Sequence, residues 1–228
     1  DTKSGAIIFD GGSSSEDQVG RYRILPYMKY LGYQKIQIAV ISHMDIDHYS
    51  GIKELLEMGK IKYLGLPEIP KDETMKKIIG IAKKRGTTIF YLSRGRQITT
   101  KDGSLKVLHP QKNSQMEKNA ASLVMQGKIL GYRVLLTGDV EKEGEEELLS
   151  EELERADILK AAHHGSKNST SNEFLQKVQP KQTIISCGKQ NRYGHPHLET
   201  IHRLQTYHTK IYRTDRSGAI IFFKRRDG

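Results

Sequence analysis

The chain has 228 residues, a length that suits one large domain and permits a sizeable core without disulfides. Its single cysteine, Cys187, excludes an internal disulfide, and the sequence shows neither a signal peptide nor an apolar run long enough to span a bilayer. The net charge of +10 favours polyanionic partners such as nucleic acid, although Lys and Arg are spread along the chain apart from short clusters at 83–85 and 224–226.

Hydrophobic periodicity predicts alternating strands and helices. In chain order, the first part contains a strand at 6–9, a helix at 17–31 interrupted at Pro26, a strand at 36–41, a helix at 48–58, a strand at 61–66, a helix at 72–85 and a strand at 87–92. Strands at 104–108, 122–125 and 133–136, a helix at 141–149, a strand at 157–160, a helix at 172–178, a strand at 183–186, a helix at 198–207 and strands at 210–213 and 219–223 follow. This alternation indicates a layered α/β fold, and without a Pro/Gly/Ser-rich linker residues 1–228 are predicted to form a single domain.

The hexapeptide Ser-Gly-Ala-Ile-Ile-Phe occurs twice, at 4–9 and at 217–222. A duplicated architecture with matching strands would explain the repeat, and so would convergence on a favourable strand sequence. Because the first copy starts a strand almost at residue 1, we expect a domain cut from a longer polypeptide.

The most informative feature is the sequence from 43 to 48, directly after the apolar strand at 36–41. His43, Asp45, Asp47 and His48 concentrate four metal-capable side chains where a strand passes into a loop. Neutral imidazole and carboxylate suit Zn²⁺, and a carboxylate-rich mixture also suits Mn²⁺. The alternative is a polar loop in which Asp47 caps the following helix, but that explains neither histidine.

Further metal-capable residues follow other predicted strands. Asp139 ends an apolar strand, His163 and His164 end another, and His195 lies on a glycine-proline turn. Each alone is a weak signal, since a terminal Asp is often a helix cap and a lone His is often packed. Their common placement matters because open α/β folds build sites at the carboxyl ends of their strands.

Together these residues resemble the metallo-β-lactamase-fold hydrolases, a resemblance that implies a four-layer αββα sandwich and one or two divalent ions, Mn²⁺ or Zn²⁺. The first carboxylate of that family resembles Asp10, which is expected to support the site structurally. The metal ligands implied by the resemblance are His43, Asp45, Asp47, His48, Asp139 and His164.

The chain departs from the family pattern in two places. Asp45 stands where the family usually has a second His, and the one histidine between His48 and Asp139, His109, is typical of a turn residue. Asn119 lies in the neighbourhood of the expected third histidine. The first metal position is therefore richer in oxygen, and we expect Mn²⁺ to activate at least as well as Zn²⁺.

The order of the remaining motifs is similar to the lactamase-like domain of the ComEC DNA-uptake channels. The matching pieces are His-His-Gly-Ser at 163–166, Tyr-Gly-His-Pro at 193–196 and Tyr-Arg-Thr-Asp at 212–215. The family domain usually begins with a Val-Gly-Gln-Gly-Asp strand, which this sequence lacks. The resemblance implies a fragment of a longer membrane protein, exposed on the extracytoplasmic side of the cell membrane. The partners expected are single-stranded DNA and the channel portion of the same polypeptide.

The leading hypothesis is a metal-dependent phosphodiesterase that degrades the DNA strand that is not imported. Asp47 is expected to orient the attacking water, His163 and His195 to bind the phosphate or protonate the leaving oxygen, and Ser166 and Asn119 to contact substrate. Two alternatives stay open. One is a soluble hydrolase of the same fold that acts on RNA, a nucleotide or a phosphorylcholine ester, and the other is a non-catalytic DNA-guiding module.

Overall fold

The structure, a computed structural model, describes residues 5–116 and 118–223. The first half of the chain builds a four-stranded sheet and the helices that cover it. The strands β1 (Ala6–Phe9), β2 (Ile36–Val40), β3 (Ile61–Pro67) and β4 (Thr88–Leu92) pair in parallel and in chain order. A π-helical segment (Gly20–Ile24) runs into α1 (Leu25–Tyr30), and the two longest helices of this half are α2 (Ile46–Glu57) and α3 (Glu73–Lys84).

The second half builds a seven-stranded sheet of mixed direction. Its strands are β5 (Gln97–Thr100), β6 (Gly103–His109), β7 (Val124–Ile129), β8 (Tyr132–Leu136), β9 (Ile158–Lys160), β10 (Gln182–Ile185) and β11 (Lys210–Arg213). They lie in the order β11-β10-β9-β8-β7-β6-β5, antiparallel from β5 to β8 and parallel from β8 to β11. The helices are α4 (Lys142–Leu149), α5 (Asn172–Val178), α6 (Leu198–Thr206) and α7 (Thr214–Ser217), and 3₁₀ turns span Lys118–Ala121 and Ala162–Gly165.

Three apolar layers hold these elements together. Along β2, Ile38 and Val40 contact the layer between the sheets, whereas Ala39 contacts the layer beneath α2 and α3. Successive side chains of a strand point to opposite faces, so a strand buried on both faces is apolar throughout. A third layer packs α4, α5 and α6 on the outer face of the second sheet, with Leu159 and Phe174 fully buried. The predicted four-layer αββα architecture is therefore confirmed.

The predicted strand at 219–223 is wrong: the described residues of this segment form no strand. Gly218 has φ of 67° and ends α7, and the segment beyond it finds no strand to pair with in the described part of the chain. Phe222 instead packs its ring at 5.9 Å from Tyr212 and 6.2 Å from Tyr132. The two hexapeptide copies thus adopt different conformations, which argues against matching strands in a duplicated architecture.

Strand β5 (Gln97–Thr100) was not predicted, and the basic cluster at 224–226 lies outside the described residues. Among the residues that the structure describes, no helix has the length and apolar character needed to cross a membrane.

Candidate metal centre and substrate cleft

The centre lies where β1 and β2 end. Asp10 follows β1 with φ of 57°, and its backbone N–H donates to the carbonyl of Val40 at 2.9 Å. The Asp10 carboxylate accepts three hydrogen bonds, from the Ser42 N–H at 2.7 Å, the Ser42 hydroxyl at 2.8 Å and His48 Nδ1 at 2.9 Å. A carboxylate can only accept, so His48 carries its proton on Nδ1 and leaves Nε2 free as a ligand. The structure thus places Asp10 as the residue that orients His48.

Burial alone would raise the pKa of Asp10, but the adjacent His48 imidazole and the Ser42 N–H hold that pKa below its usual value. The pKa of His48 is affected in the opposite sense. Burial lowers it, but the Asp10 and Asp139 carboxylates outweigh burial and raise it to about 10. Without a cation, the centre therefore holds a proton between two carboxylates.

Three imidazole nitrogens converge on one space. His48 Nε2 lies 3.1 Å from Asp139 Oδ2, and His164 Nε2 lies 3.2 Å from the same oxygen. Although these distances are short, the Nε2 atoms of His43, His48 and His164 are buried without a partner in hydrogen-bonding geometry among the described residues. These nitrogens lie close to one carboxylate oxygen but do not form hydrogen bonds with it. Such an arrangement is typical of metal ligands, whose donor atoms surround a common position.

The ligand atoms form two overlapping groups. His43, His48 and Asp139 offer atoms within 4.8 Å of one another, and so do Asp47, His48 and His164. One Nε2 binds one ion, so His48 can serve only one of these groups at a time. The Asp139 carboxylate, 3.1 Å from His48 and 3.2 Å from His164, is the side chain able to contact two neighbouring ions. The mixture of imidazole and carboxylate fits Zn²⁺ or Mn²⁺.

Asp45 lies at the rim of the centre. One of its oxygens is 3.7 Å from His43 Nε2, and half of its side chain is exposed. Helix α2 begins at Ile46, which makes Asp45 the N-cap residue, although its side chain makes no capping hydrogen bond to the described residues. The alternative in which Asp47 caps this helix is therefore wrong.

Asp47 lies in the first turn of α2, and its carboxylate is 3.3 Å from His164 Nε2. Burial raises the pKa of Asp47, but His164 and His48 outweigh burial and lower it to about 2. The carboxylate is therefore ionised at neutral pH and available to a cation.

His164 is positioned by an unusual turn after β9. His163, His164 and Gly165 all have positive φ, at 44°, 53° and 84°. Non-glycine residues seldom adopt this conformation, and it is found where function requires it. A Cβ on Gly165 would lie 2.6 Å from the Cβ of Pro196, so only glycine fits there. This contact places the 162–165 turn directly against the loop that carries His195.

Each histidine of this turn has a partner that orients it. His164 Nδ1 donates to the carbonyl of Ser186 at 2.6 Å, which leaves Nε2 free to face Asp47 and Asp139. Burial lowers the pKa of His164, but those two carboxylates raise it to about 9. His163 Nδ1 donates to the Glu141 carboxylate at 2.7 Å.

Asp139 lies at the centre of the cluster and is buried. Burial raises its pKa, yet Lys160, His164 and His48 together hold it well below the usual value. Lys160 Nζ donates to the Gly138 carbonyl at 2.8 Å and lies 3.4 Å from Asp139 Oδ1. The lysine thus occupies one carboxylate oxygen and leaves Oδ2 to the histidines.

Sequence reasoning did not assign roles to Lys160 or Glu141. Lys160 is the last residue of β9, three positions before His163, and a lysine at the end of a buried strand was the signal that could have identified it. Glu141 precedes α4, where an acidic residue is ordinarily read as favourable to the helix N-terminus.

His109 belongs to a different network. Its Nε2 donates to the carbonyl of Ala120 at 2.7 Å, and its Nδ1 lies 3.0 Å from Glu147. Burial lowers the pKa of His109, an effect that the Ala120 carbonyl and the Glu147 carboxylate partly oppose. It ends β6 and holds the segment around 120 in place, in agreement with its interpretation as a turn residue rather than a third histidine ligand.

Two residues predicted to contact substrate, Ser166 and Asn119, lie in segments adjacent to the metal ligands. The side chain of Ser166 is buried, and its hydroxyl accepts from the Asn168 N–H at 3.3 Å, so it supports the loop after His164. Asn119 lies in the 3₁₀ turn beside Ser122, whose hydroxyl accepts from the Asp139 N–H at 3.2 Å. The Asn119 Oδ1 atom is buried and has no hydrogen-bond partner among the described residues.

A cleft of about 340 Å³ opens beside the metal centre. Asp47 and His164 contribute to one wall. Residues 12–15 and 186–193, with His195, complete its lining. Burial, together with the neighbouring histidines, lowers the pKa of His195 to about 4, so this imidazole is neutral at neutral pH.

Comparison with known proteins agrees with this geometry. The sequence matches the metallo-beta-lactamase superfamily over residues 1–189. It is similar to ComE operon protein 3 of Bacillus subtilis, with 38% identity over 216 residues that cover 92% of this chain and 27% of that protein. Competence protein ComA of Neisseria gonorrhoeae is 30% identical over 232 residues, which cover 97% of this chain and 30% of that protein. The chain thus spans less than a third of either relative.

A solved structure shares the fold. The metallo-beta-lactamase fold protein YhfI from Bacillus subtilis superposes with a TM-score of 0.59 at 14% identity, covering 93% of this chain and 86% of that one. The predicted resemblance is confirmed for the fold and for the similarity to competence proteins, and members of this superfamily are generally metal-dependent hydrolases. Since the sequence match extends across every ligand-bearing loop up to residue 189, the chain belongs to the metallo-beta-lactamase superfamily.

Proposed function

We propose that this domain is a metal-dependent phosphodiesterase that degrades DNA, acting on the strand that is not imported during natural transformation. The observation that carries the proposal is the convergence of His43, His48 and His164 Nε2 atoms with the Asp47 and Asp139 carboxylates beside an open cleft. Such a site suits hydrolysis of a phosphodiester, whose anionic oxygens are attracted to a divalent centre.

His43, Asp45 and Asp139 would hold one ion, and Asp47, His48, Asp139 and His164 the other. When bound, two such ions supply Lewis-acid polarisation of the phosphoryl oxygens and a water of lowered pKa. The protein's own part is to fix the ligands: Asp10 sets the tautomer of His48, and the Ser186 carbonyl sets that of His164. The Asp47 carboxylate is ionised at neutral pH, which supports a role in orienting the attacking water.

His195 and His163, which are not metal ligands in this proposal, have different proposed roles toward the substrate. His195 is neutral at neutral pH because its pKa is about 4, which suits donation of a hydrogen bond to the scissile phosphate. His163 Nδ1 donates to the Glu141 carboxylate at 2.7 Å, which fixes the orientation of a ring that lies 5.3 Å from the His195 ring. The pairing supports His163 as the group that protonates the leaving oxygen.

The charge distribution supports a polyanionic substrate. Lys189 and Arg192 line the cleft, and the chain as a whole carries +10. Binding that rests on phosphate contacts is independent of sequence and falls steeply with salt. The competence proteins to which the chain is similar support DNA as the polyanion and a place in membrane-associated DNA uptake. As part of the same proposal, the domain lies at the extracytoplasmic face of the cell membrane, where the channel portion of the same polypeptide delivers the strand.

The test compares metal-dependent cleavage of single-stranded DNA with cleavage of RNA of the same sequence across a salt titration. We expect DNA to be cleaved with Mn²⁺ at least as well as with Zn²⁺, and affinity to fall with salt. Preferential cleavage of RNA would support the alternative function, a hydrolase of RNA or nucleotides. DNA binding without any turnover at saturating metal would support a DNA-guiding module.

A double variant locates the chemistry. Asp47→Ala with His48→Ala should abolish cleavage and leave most DNA affinity, because affinity comes from surface cations. Since His48 is buried, far-UV circular dichroism must show that the double variant folds, and Asp47→Asn serves as a milder second variant. Wild-type cleavage in either variant would place the chemistry elsewhere.

A further inference from the structure

Beside the metal ligands, the cleft lining combines cations with an exposed aromatic ring. Lys189, Arg192 and Tyr193 lie on the loop that follows β10, and Tyr193 is 53% exposed. Among the described residues that line the cleft, Asp47 is the one carboxylate. Apart from the metal ligands, the cleft therefore offers positive charge and one flat apolar face.

The rings leading from the centre to Tyr193 are nearly parallel. The His195 ring lies 6.4 Å from the His164 ring at an interplanar angle of 22°, and the Tyr193 ring lies 5.7 Å from the His195 ring at 25°. The Arg192 guanidinium lies 4.7 Å from the centre of the Tyr193 ring. A planar ligand that extends from the metal centre along this row would meet an aromatic face with a cation beside it.

The loop holds Tyr193 in a defined place. Asn191 accepts from the His195 N–H at 2.9 Å and donates to the carbonyls of Gly188 at 3.0 Å and His195 at 2.6 Å. These bonds close the loop on both sides of Tyr193. The exposure of the ring is thus a property of an ordered loop, and an ordered aromatic ring loses little conformational entropy when a ligand stacks on it.

From this arrangement we propose that the loop at 187–195 carries a nucleobase subsite, with Tyr193 as the stacking platform and Arg192 and Lys189 as contacts to the neighbouring phosphate. The inference rests on the proposed phosphodiesterase and specifies its substrate as a polynucleotide rather than a simple phosphodiester. Stacking on an aromatic ring tolerates every base, which suits an enzyme that degrades a strand irrespective of its sequence.

The experiment measures binding and turnover separately. Binding to metal-free protein is followed by the fluorescence of a DNA trinucleotide containing 2-aminopurine, and turnover by kcat/KM for a single-stranded oligonucleotide. Tyr193→Ala should weaken binding and lower kcat/KM about 5- to 150-fold, the range found when a base loses an aromatic stacking partner. Tyr193→Phe keeps the ring and loses only the hydroxyl that accepts from Arg192, so it should keep most of the binding that Tyr193→Ala loses.

Two controls separate stacking from general damage. An oligonucleotide with tetrahydrofuran abasic residues has the same backbone and no bases, so Tyr193→Ala should change its binding and turnover little. Tyr30 is 85% exposed and does not line the cleft, so Tyr30→Ala should leave binding and turnover unchanged. An equal loss on normal and abasic strands, or no loss on either, would overturn the subsite.

A small substrate keeps this inference distinct from the proposed function. Methyl p-nitrophenyl phosphate cannot reach both the centre and the platform, so Tyr193→Ala should lower its hydrolysis far less than the hydrolysis of DNA. If the wild-type protein hydrolyses neither this ester nor DNA, the phosphodiesterase proposal fails. A Tyr193-dependent binding difference measured in the same preparation would still support the nucleobase subsite.

Discussion

Replacing Asp10 by Asn tests whether the tautomer of His48 controls metal binding. Asp10 Oδ2 accepts from His48 Nδ1 at 2.9 Å and from the Ser42 hydroxyl at 2.8 Å. An amide has nearly the same shape, but an NH₂ group at this position would face the His48 N–H donor. A neutral imidazole, the form that binds a metal, then prefers to carry its one proton on Nε2, the atom that faces the metal centre. The variant therefore places a proton on a ligand atom without creating a cavity.

The expected magnitude follows from the role of Asp10 as the partner of a ligand. Loss of such a partner typically lowers metal affinity about 10- to 100-fold, or about 1.4 to 2.7 kcal/mol. Isothermal titration with Mn²⁺ and Zn²⁺ at pH 8 measures the dissociation constants directly. The metal-induced gain in the free energy of unfolding should fall by the same amount at saturating metal.

A matched control separates this effect from the loss of any buried carboxylate. Asp157 is largely buried and binds Arg133 and Lys181, and it lies at the start of β9, at the other end of the strand from the metal centre. Asp157→Asn should destabilise the fold and leave metal affinity unchanged. Metal affinity within twofold of wild type in Asp10→Asn would refute the tautomer argument.

Three further predictions use other contacts of the centre. Lys160→Met removes the cation beside Asp139 and should lower the free energy of unfolding of the metal-free protein by about 1–3 kcal/mol in urea titrations at pH 8, with a smaller deficit once Mn²⁺ is added. The pKa values of His48 and His164 are raised to about 10 and 9, so they stabilise the metal-free protein fully below pH 6.5, and this stability is lost as pH rises through 9 to 10. Mn²⁺ affinity should rise across the same window, because the ion must displace those protons. Thermal melts and Mn²⁺ titrations at a series of pH values test both trends, and stability and affinity that change in the same direction would contradict the assignment. His163→Gln should lower kcat on DNA by about 10²- to 10⁴-fold and affect a p-nitrophenyl ester far less, since that leaving group needs no proton; equal losses on both substrates would remove His163 from the role of acid.

Much of the centre was predictable because a ligand at a strand end appears in the sequence as a metal-capable residue directly after an apolar run. Asp139 and the motif from His43 to His48 each follow an apolar run, and parallel strands deliver their carboxyl ends to one edge of a sheet. The role of Asp10 was available only through resemblance, since an Asp after a strand followed by two glycines is equally typical of a turn. Lys160 and Glu141 act through other residues, and no local pattern distinguishes such lysines and glutamates from surface ones.

The failures in secondary structure have equally local causes. Strand β5 contributes one buried apolar side chain, Ile98, so its polar neighbours gave no alternating pattern. The segment at 219–223 has strand propensity but lacks a partner in the described part of the chain, and propensity alone does not make a strand. The positive φ angles of His163 and His164 could not be read from residue type, because neither is glycine.

The metal centre draws its ligands from both sheets. His43 and His48 follow β2 of the four-stranded sheet, whereas Asp139 and His164 follow β8 and β9 of the seven-stranded sheet. A cation held there crosslinks two halves that elsewhere meet through an apolar layer and a few hydrogen bonds, such as that from the Leu123 N–H to the Ser42 carbonyl at 3.0 Å. Apolar contacts have no preferred direction, so they oppose sliding less than directional bonds do. Coupling of this kind is reciprocal, so a force that shears one sheet past the other must also weaken cation binding. In such a domain, a mechanical force applied between the two sheets would change the metal occupancy of the centre.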